Sequence, residues 1–311
     1  MIRCSSAWSM SALALAIALA PWIGRFAPGL DLMAAVLPAV PLLAIIVLLL
    51  NRRAAGLVAA VALALAIITL LREWQGDPLP YHAAGPRLVL VTHNVSVHNE
   101  DPAATARILA NSHADILLLQ EVNGRFRPYL ERLRKLYPYG SPCNGCSMAI
   151  LSRLPTDRPR YRFRDVDGKP FGPALIQAQV RFGATEVPVA TVHLSRTMSA
   201  WARARQRRML AEAAARVSNG ALIVGGDFNT TPWQASLMSL DAGMAPMART
   251  TRAQFSFPTR ALGHVFPMPL LPIDHVYAGP QWAIARAERM KATGSDHYPI
   301  RVELVFLERQ L

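Results

Sequence analysis

The chain has 311 residues, which is enough for two domains, and only three cysteines, which excludes a disulfide-stabilised scaffold. It carries 33 Lys and Arg residues against 20 Asp and Glu residues, a formal net charge of +13. This charge favours polyanions or anionic surfaces as partners, although a basic surface exposed only to solvent is an open alternative.

Three apolar segments occupy the beginning of the chain, at about residues 7–23, 30–50 and 54–71. The second and third approach the roughly 20 residues that cross the hydrocarbon core of a bilayer. Because they contain almost no charged residues, we predict that residues 1–74 form an anchor of three transmembrane helices. A cleaved signal peptide for the first segment and a buried bundle in a soluble protein are the alternatives.

The orientation of this anchor follows from its arginines. Arg52 and Arg53 make the turn between the second and third segments the most basic loop, which predicts that this loop stays in the cytoplasm. Arg25 and Arg72 weigh against this orientation. The chain after the third segment is therefore expected outside the cytoplasm, attached to the cell (inner) membrane. A linker rich in Pro and Gly is predicted over residues 75–86.

Residues 87–311 have the composition of a globular domain. Strands and helices alternate early and late in this region, and its middle is rich in strands. Helices are predicted at 102–111, 125–136, 201–217 and 233–240. Strands are predicted at 88–91, 115–119, 148–151, 160–164, 174–182, 187–194, 222–224, 273–277, 284–290 and 300–306. This pattern predicts two packed sheets with helices on the outside.

Polar residues of recurring types stand at or near the ends of these predicted strands. The apolar run 222–224 leads through Gly225 and Gly226, which predict a tight turn and a close approach, to Asp227. The side chains of Asp227 and Asn229 would point to one side of an extended segment. Each residue alone also fits a turn or a helix cap. The full set is Asn94, Glu121, His193, Asp227, Asn229, Asp274, Asp296 and His297.

In this order the motifs resemble those of the endonuclease/exonuclease/phosphatase superfamily, the metal-dependent phosphodiesterases related to deoxyribonuclease I. The resemblance covers roughly residues 87–306. It implies a four-layer α/β/β/α sandwich with the site at one end of the sheet pair. The motifs are specific for the superfamily, but they say little about which member of it this chain is.

The resemblance also implies roles for the residues that act on the substrate. Asp227 matches the residue that orients or deprotonates the attacking water, and Asn229 matches the amide that holds the phosphate. His297 is implied to contact the phosphate, while Asp274 fixes its tautomer and raises its pKa. His193 matches a second histidine, which acts as an acid for the leaving oxygen or contacts the phosphate.

A further group is implied to bind the metal. Glu121 matches the metal-binding glutamate, Asn94 the asparagine that assists metal or phosphate binding, and Asp296 an aspartate near the metal. Oxygen ligands without a His/Cys cluster of the zinc kind predict Mg²⁺, with Mn²⁺ as an alternative. Arg196 stands near the expected mouth of the site and is predicted to bind substrate.

These observations predict a membrane-anchored phosphodiesterase that uses direct attack by water, with nucleic acid as the favoured substrate of a basic domain. A phospholipid or other small phosphoester at the membrane is the first alternative. A membrane-tethered binding protein without turnover is the second. No protein partner can be inferred from the sequence.

Two further patterns leave alternatives open. Cys143 and Cys146 form a C-x-x-C pair, for which a local disulfide is predicted outside the cytoplasm and two free thiols are the alternative. Arginines at 203, 205, 207 and 208 lie on one predicted helix, which either binds polyanions or presents a solvated basic face.

Overall fold

The computed structural model describes residues 2–50, 54–73, 84–141, 146–164, 170–196, 199–217, 220–261, 264–266 and 268–307. These residues form two compact units. The helical unit comprises Met1–Asp77 and Thr230–Ala242, and the sheet unit comprises Pro78–Asn229 and Gly243–Leu311. The turn 51–53 and most of the predicted linker at 75–86 lie outside the described residues.

Small residues form the packed centre of the helical unit. Its helices are α1 (Ile2–Ile23), α2 (Asp31–Ala34), α3 (Val40–Leu50) and α4 (Ala54–Leu71), and its second segment contains most of a further helix at Ala235–Gly243. Ala7, Ala44 and Ala59 are fully buried. Small side chains let helices approach closely, and the hydroxyl of Ser11 donates to the carbonyl of Ala55 at 2.8 Å.

The prediction of three spanning helices is wrong in number. Among the described residues, Ser6–Ile23 is the one helix long and apolar enough to cross a membrane, whereas Leu37–Leu50 and Ala55–Leu71 are shorter. The predicted second span is divided into α2, a short 3₁₀ helix at Leu37–Ala39 and α3. Pro38 and Pro41 explain the division, because proline lacks the N–H that a continuous helix requires.

Two six-stranded sheets form the frame of the sheet unit. Its strands are β1 (Arg87–Asn94), β2 (Ile116–Gln120), β3 (Tyr139–Gly140), β4 (Met148–Ser152), β5 (Thr156–Arg164), β6 (Pro170–Phe182), β7 (Thr185–His193), β8 (Ile223–Asp227), β9 (Ala248–Arg249), β10 (Arg260–Ala261), β11 (His264–Val265), β12 (Asp274–Ala278), β13 (Trp282–Arg289) and β14 (Ile300–Phe306). The first sheet has the order β13-β14-β1-β2-β4-β3, and the second has the order β5-β6-β7-β8-β12-β9. Strands β10 and β11 form a separate two-stranded ribbon.

The main hydrophobic core lies between the two sheets. Leu90 and Leu118 of the first sheet belong to one buried cluster with Ile176, Ile223 and Val276 of the second. These residues alternate with others that face outward, as expected of strands in a sandwich.

Helices cover the outer faces of both sheets. On the first sheet, α5 (Pro102–Ala110) and α6 (Arg127–Arg134) enclose a second buried cluster that includes Leu117 and Leu119. On the second sheet, α7 (Ala200–Ala215) packs against β6. The predicted four-layer α/β/β/α architecture is therefore confirmed.

Strand direction brings several polar residues to one edge of the sheet pair. Strands β1 and β2 are parallel, and so are β7 and β8, so their carboxyl ends meet at the same edge. His193 is thereby placed in register with Asp227. Strand β12 is antiparallel to β8 and begins at this edge, with Asp274 opposite Asp227.

Candidate active site

Strand β8 continues through the two glycines that were predicted to make a tight turn. A side chain at position 226 would collide with the carbonyl oxygen of Val192 on β7. A Cβ at position 225 would come within 2.7 Å of Leu118 from the other sheet. The glycines therefore permit close packing around β8, and the chain turns only after Asp227, where Asn229 has a φ of 48°.

Asp227 is almost fully buried at this edge, with 1% of its surface exposed. Its Oδ1 accepts the backbone N–H of Asn229 at 2.8 Å. Its Oδ2 accepts from Nδ2 of Asn94 at 3.1 Å and from Nδ2 of Asn229 at 3.2 Å. The turn, rather than an extended segment, brings the side chains of Asp227 and Asn229 together.

Asn94 links Asp227 to a second carboxylate, that of Glu121. Its Nδ2 also donates to Oε1 of Glu121 at 3.0 Å, while Oε2 of Glu121 accepts the N–H of Val97 at 3.0 Å. Glu121 has a φ of 56°, a left-handed conformation that is uncommon for residues other than glycine. This turn aims its partly exposed carboxylate back over the end of β1.

Glu121 is a charged group at neutral pH. Partial burial opposes the charged form, but the Asn94 and Val97 hydrogen bonds and the nearby histidines outweigh it and lower the pKa of Glu121. Asp227 differs, because its burial and the charge of Asp274 raise its pKa despite nearby His297, His193 and Asn94. Two neighbouring carboxylates thus have pKa values shifted in opposite directions.

A buried histidine–aspartate pair faces Asp227. Nδ1 of His297 lies 2.8 Å from Oδ2 of Asp274, and its Nε2 lies 3.8 Å from Oδ2 of Asp227. Burial alone would lower the pKa of His297, but the charges of Asp274 and Asp227 and the Asp274 hydrogen bond raise it to about 10. The ring of Phe257, 4.9 Å away between centroids, packs against this imidazolium.

His193 approaches the same two acids from β7. Its Nε2 lies 3.6 Å from Oδ2 of Asp227 and 3.7 Å from Oε1 of Glu121. Its side chain keeps 24% of its surface exposed, so this histidine has access to a bound molecule as well as to the acids.

Two places on this edge bring together groups of the kind that bind metals. Ligand atoms of Asp227, Asp274 and His297 lie within 4.8 Å of one another. However, these three side chains are buried and leave little room for the waters that Mg²⁺ retains, and a histidine nitrogen is not among the oxygen ligands that this ion prefers. Glu121 is the better ligand, because its carboxylate is charged, lies beside the Asn94 amide and is open enough for the waters that Mg²⁺ retains. These oxygen donors fit a hard divalent ion.

Two of the residues predicted for the site have no described hydrogen bond to Glu121 or Asp227, although the charge of Asp296 helps to raise the pKa of His297. Asp296 is half-buried, with Oδ1 3.5 Å from the Ser295 hydroxyl, and its described contacts do not include Glu121. Arg196 has an exposed side chain, and its described contact is a carbonyl that accepts from Nη1 of Arg203. The metal role of Asp296 and the substrate role of Arg196 stay predictions.

Supporting residues that the sequence analysis did not single out hold the cluster in place. The Ser295 hydroxyl donates to the carbonyl of Asn94 at 2.6 Å and accepts the N–H of His297 at 3.0 Å. The Ser256 hydroxyl accepts the N–H of Asp274 at 3.3 Å. Ser295 lies inside the motif that contains His297, so its position was a usable signal. Ser256 has no such signal, because it is 18 residues from Asp274 in the chain.

His93 and His275 are next to site residues in the chain, but their described contacts are with residues outside the site. Nε2 of His93 lies 3.1 Å from the hydroxyl of Thr293, and burial together with the charge of His297 keeps the pKa of His93 well below its usual value. The ring of His275 packs against Phe228. Both histidines are fully buried in the fold.

Comparison with known families gives one match over most of the sheet unit. The model of the Endonuclease/Exonuclease/phosphatase family matches residues 91–297. This range includes every residue predicted for the site, from Asn94 to His297. No protein of curated function matches the chain.

Solved structures with the same fold include three from different organisms. TDP2 of D. rerio, crystallised with a single-strand DNA product, has 18% identity and a TM-score of 0.56, covering 70% of this chain and 98% of its own. Sphingomyelinase C of Streptomyces griseocarneus has 18% identity and a TM-score of 0.55, covering 70% and 99%. Beta toxin of Staphylococcus aureus with bound magnesium ions has 15% identity and a TM-score of 0.52, covering 72% and 100%. At these identities the likeness establishes the fold.

Proposed function

The chain belongs to the Endonuclease/Exonuclease/phosphatase family, and on this premise we propose that it hydrolyses a phosphodiester by direct attack of water. The observation that carries the proposal is the link through Asn94. Its side-chain amide joins the charged carboxylate of Glu121 to the buried carboxylate of Asp227, and His297 faces the same oxygen of Asp227. A metal-binding acid, a base and a cation thus share one edge of the fold.

Asp227 is proposed to orient the attacking water and to accept its proton. Three N–H donors hold this carboxylate in one orientation, which reduces the reorganisation needed during the reaction. The raised pKa makes it a stronger base than an exposed aspartate.

His297 is proposed to offset the charge that develops on the phosphoryl oxygens. Its charge is maintained by Asp274, and its burial strengthens the interaction with an anion because little water screens it. Asn229 supplies a side-chain amide beside Asp227 that is proposed to hold the phosphate.

Glu121, with Asn94 and Asp296, is proposed to hold Mg²⁺, with Mn²⁺ as an alternative. When bound, such an ion neutralises phosphoryl charge as a Lewis acid. The magnesium ions in the beta toxin structure, which has the same fold, support this assignment.

The bonds in the reaction balance without a further reactant. The water oxygen forms a new bond to phosphorus, its proton passes to Asp227, and the bond from phosphorus to the leaving oxygen breaks. His193, which has access to a bound molecule, is proposed to contact the phosphate or to protonate the leaving oxygen.

Nucleic acid is the favoured substrate. The net charge of +13 supports a polyanion, and TDP2, which has the same fold, was crystallised with a DNA product. A phospholipid is the second candidate, because Ser6–Ile23 can reach a bilayer and the sphingomyelinase fold is the same. Arg196 is proposed to contact either substrate at the mouth of the site.

The chain is further proposed to be attached to the cell membrane by one spanning helix, with its catalytic domain outside the cytoplasm. The apolar helix Ser6–Ile23 supports attachment, and Arg3 before its amino-terminal end, retained in the cytoplasm, supports the orientation.

A substrate panel tests these proposals on the full chain in detergent. The panel contains single-stranded DNA, RNA, sphingomyelin or phosphatidylcholine vesicles and bis(4-nitrophenyl) phosphate, each with Mg²⁺ or EDTA. We expect DNA and the synthetic diester to be hydrolysed only with Mg²⁺. Cleavage of the lipids without DNA would select the second candidate, and no hydrolysis of any substrate would indicate a binding protein without turnover.

A further inference from the structure

A small polar cavity lies on the outer face of the second sheet, where β5 pairs with β6. Its volume is about 100 Å³, and it is lined by Arg160, Arg162, Gln177, Ala178 and Gln179. Tyr161, Ile176 and Val180 pack into the core between the sheets. Because side chains alternate along a strand, the arginines and glutamines point away from that core.

The cavity concentrates positive charge. Nε of Arg162 donates to Oε1 of Gln177 at 2.6 Å, which orients the guanidinium and leaves the Gln177 amide N–H groups as donors. Among the residues that the structure describes, neither Arg160 nor Arg162 pairs with a carboxylate. Two guanidinium groups and an amide donor without an acid suit an oxyanion, which arginine binds through paired N–H groups.

The neighbouring helix also contributes buried arginines to this side of the sheet. Helix α7 packs against β6, and its buried residues include Arg203 and Arg207.

The strand register relates the cavity to the catalytic edge. Arg162 stands opposite Leu175, one residue along β6 from Ala174, which stands opposite His193. The cavity is therefore two strands from His193 and three from Asp227, or about 10 to 15 Å between the strands at the usual spacing. By the same register it lies on the face of the sheet opposite to the His193 side chain, so a polymer reaches both sites by passing around the sheet edge. A substrate with one phosphate held at Asp227 would leave the cavity unfilled, whereas a polynucleotide carries a phosphate on every nucleotide.

We propose that Arg160, Arg162 and Gln177 bind a backbone phosphate of a polynucleotide, a few nucleotides from the phosphodiester that is cleaved. This site rests on the proposed hydrolytic function and narrows its substrate to a polymer with several phosphates. It distinguishes polynucleotides from phospholipids with a single phosphate, which cannot fill both sites.

The test measures binding without turnover, on the full chain in detergent with EDTA. The probes are a fluorescent single-stranded oligonucleotide and a dinucleotide with one phosphate. We expect the R160Q/R162Q double variant to bind the oligonucleotide about tenfold more weakly, with a salt dependence shallower by about one unit of log–log slope. Its affinity for the dinucleotide should not change.

A matched control is the R132Q/K135Q double variant, which removes the same charge from exposed positions of α6 and its C-terminal end. It should bind the oligonucleotide nearly as the unaltered chain does. The single variant Arg160→Gln guards against misfolding, because Arg160 is exposed and has no described partner to lose; it should show part of the effect.

Unchanged oligonucleotide binding by R160Q/R162Q would overturn the proposal, as would an equal loss of affinity for the dinucleotide. Hydrolysis of bis(4-nitrophenyl) phosphate reports separately on the proposed function. If the double variant keeps that activity and also keeps full oligonucleotide affinity, only the second site fails.

Discussion

Asp227 combines burial, three N–H donors and a raised pKa in one side chain. Asn94 and Asn229 fix its orientation, and His297 and His193 face its Oδ2. Such a constellation suits a base that must act repeatedly in one geometry. The proposed chemistry depends more on this carboxylate than on any other group.

Replacing Asp227 by asparagine should remove the base and keep the shape of the side chain. We expect phosphodiester hydrolysis to fall by about 10²- to 10⁴-fold, the usual contribution of general base catalysis. Turnover of the synthetic diester measures the loss, and circular dichroism checks that the fold is retained. Undiminished turnover in a folded variant would assign the base to another residue.

The pH dependence should report the charge of His297. Because its pKa is raised to about 10, the rate should persist through neutral pH and fall as the pH rises through about 10. In the Asp274→Asn variant the supporting charge is absent, so the pKa of His297 falls and the alkaline loss of rate should move to lower pH. The rate profiles of both proteins measure this shift; coincident profiles would contradict the role of Asp274.

The His297–Asp274 pair should stabilise the folded protein, and this contribution should depend on pH. A raised pKa in the folded state means that the contribution is complete below the unfolded value of 6.5 and is lost as the pH rises through about 10.

At the scale of single elements, β8 shows how backbone packing positions the site. Gly226 lies so close to Val192 on β7 that no side chain fits between the strands. The parallel pairing of β7 with β8 places His193 level with Asp227, so this close contact also sets the geometry of the cluster.

Gly226→Ala should therefore destabilise the fold strongly. We expect a loss of more than about 3 kcal/mol in the free energy of unfolding, since backbone must move to admit the Cβ. Gly183→Ala is the matched control: its φ is also positive, at 60°, but nothing lies within 4 Å of its Cβ. That variant should lose only about 1 to 2 kcal/mol, and equal losses from thermal or denaturant unfolding would count against the packing explanation.

Long periodic elements were predictable from the sequence, and short ones were not. The structure has α5 at Pro102–Ala110 and α7 at Ala200–Ala215, each within two residues of prediction. Two-residue strands such as β9 are too short to produce a pattern. Strand β5 begins before its predicted start because a register shift between Asp157 and Arg160 accommodates Pro159, which breaks the alternation.

Most of the candidate site was also predictable, because its residues close strands that meet at one edge. The sequence did not predict the left-handed turns at Glu121 and Asn229, which orient both side chains. It also did not reveal Ser256, whose hydroxyl supports Asp274 from a loop that is distant in the chain. Such support depends on tertiary contacts that leave no periodic pattern.

At the scale of the whole molecule, one contact within the helical unit could not be predicted from the sequence. The buried carboxylate of Asp31 accepts the hydroxyl of Ser236 at 2.5 Å and the side-chain amide of Gln234 at 3.4 Å. These residues are more than 200 positions apart, and they join Thr230–Ala242 to the apolar helices. This segment follows directly after Asn229 in the chain.

The proposed topology predicts where the carboxyl terminus lies. A fluorescent protein that matures only in the cytoplasm, fused after Leu311, should stay dark, while alkaline phosphatase at the same point should be active. Changing Arg3 to glutamine should weaken this asymmetry, because the amino terminus would no longer be retained in the cytoplasm. A fluorescent fusion of the unaltered chain would show that the carboxyl terminus lies in the cytoplasm and would contradict the proposed orientation.

The most direct test of the metal-dependent centre is the Mg²⁺ dependence of synthetic diester hydrolysis by the full chain and by Glu121→Gln. Glu131→Gln, at an exposed position on α6, is the control. We predict that EDTA abolishes the activity, that Mg²⁺ restores it, and that Glu121→Gln alone raises the Mg²⁺ concentration for half-maximal rate by more than about tenfold. Full activity in EDTA, or an unchanged Mg²⁺ requirement in Glu121→Gln, would contradict the account.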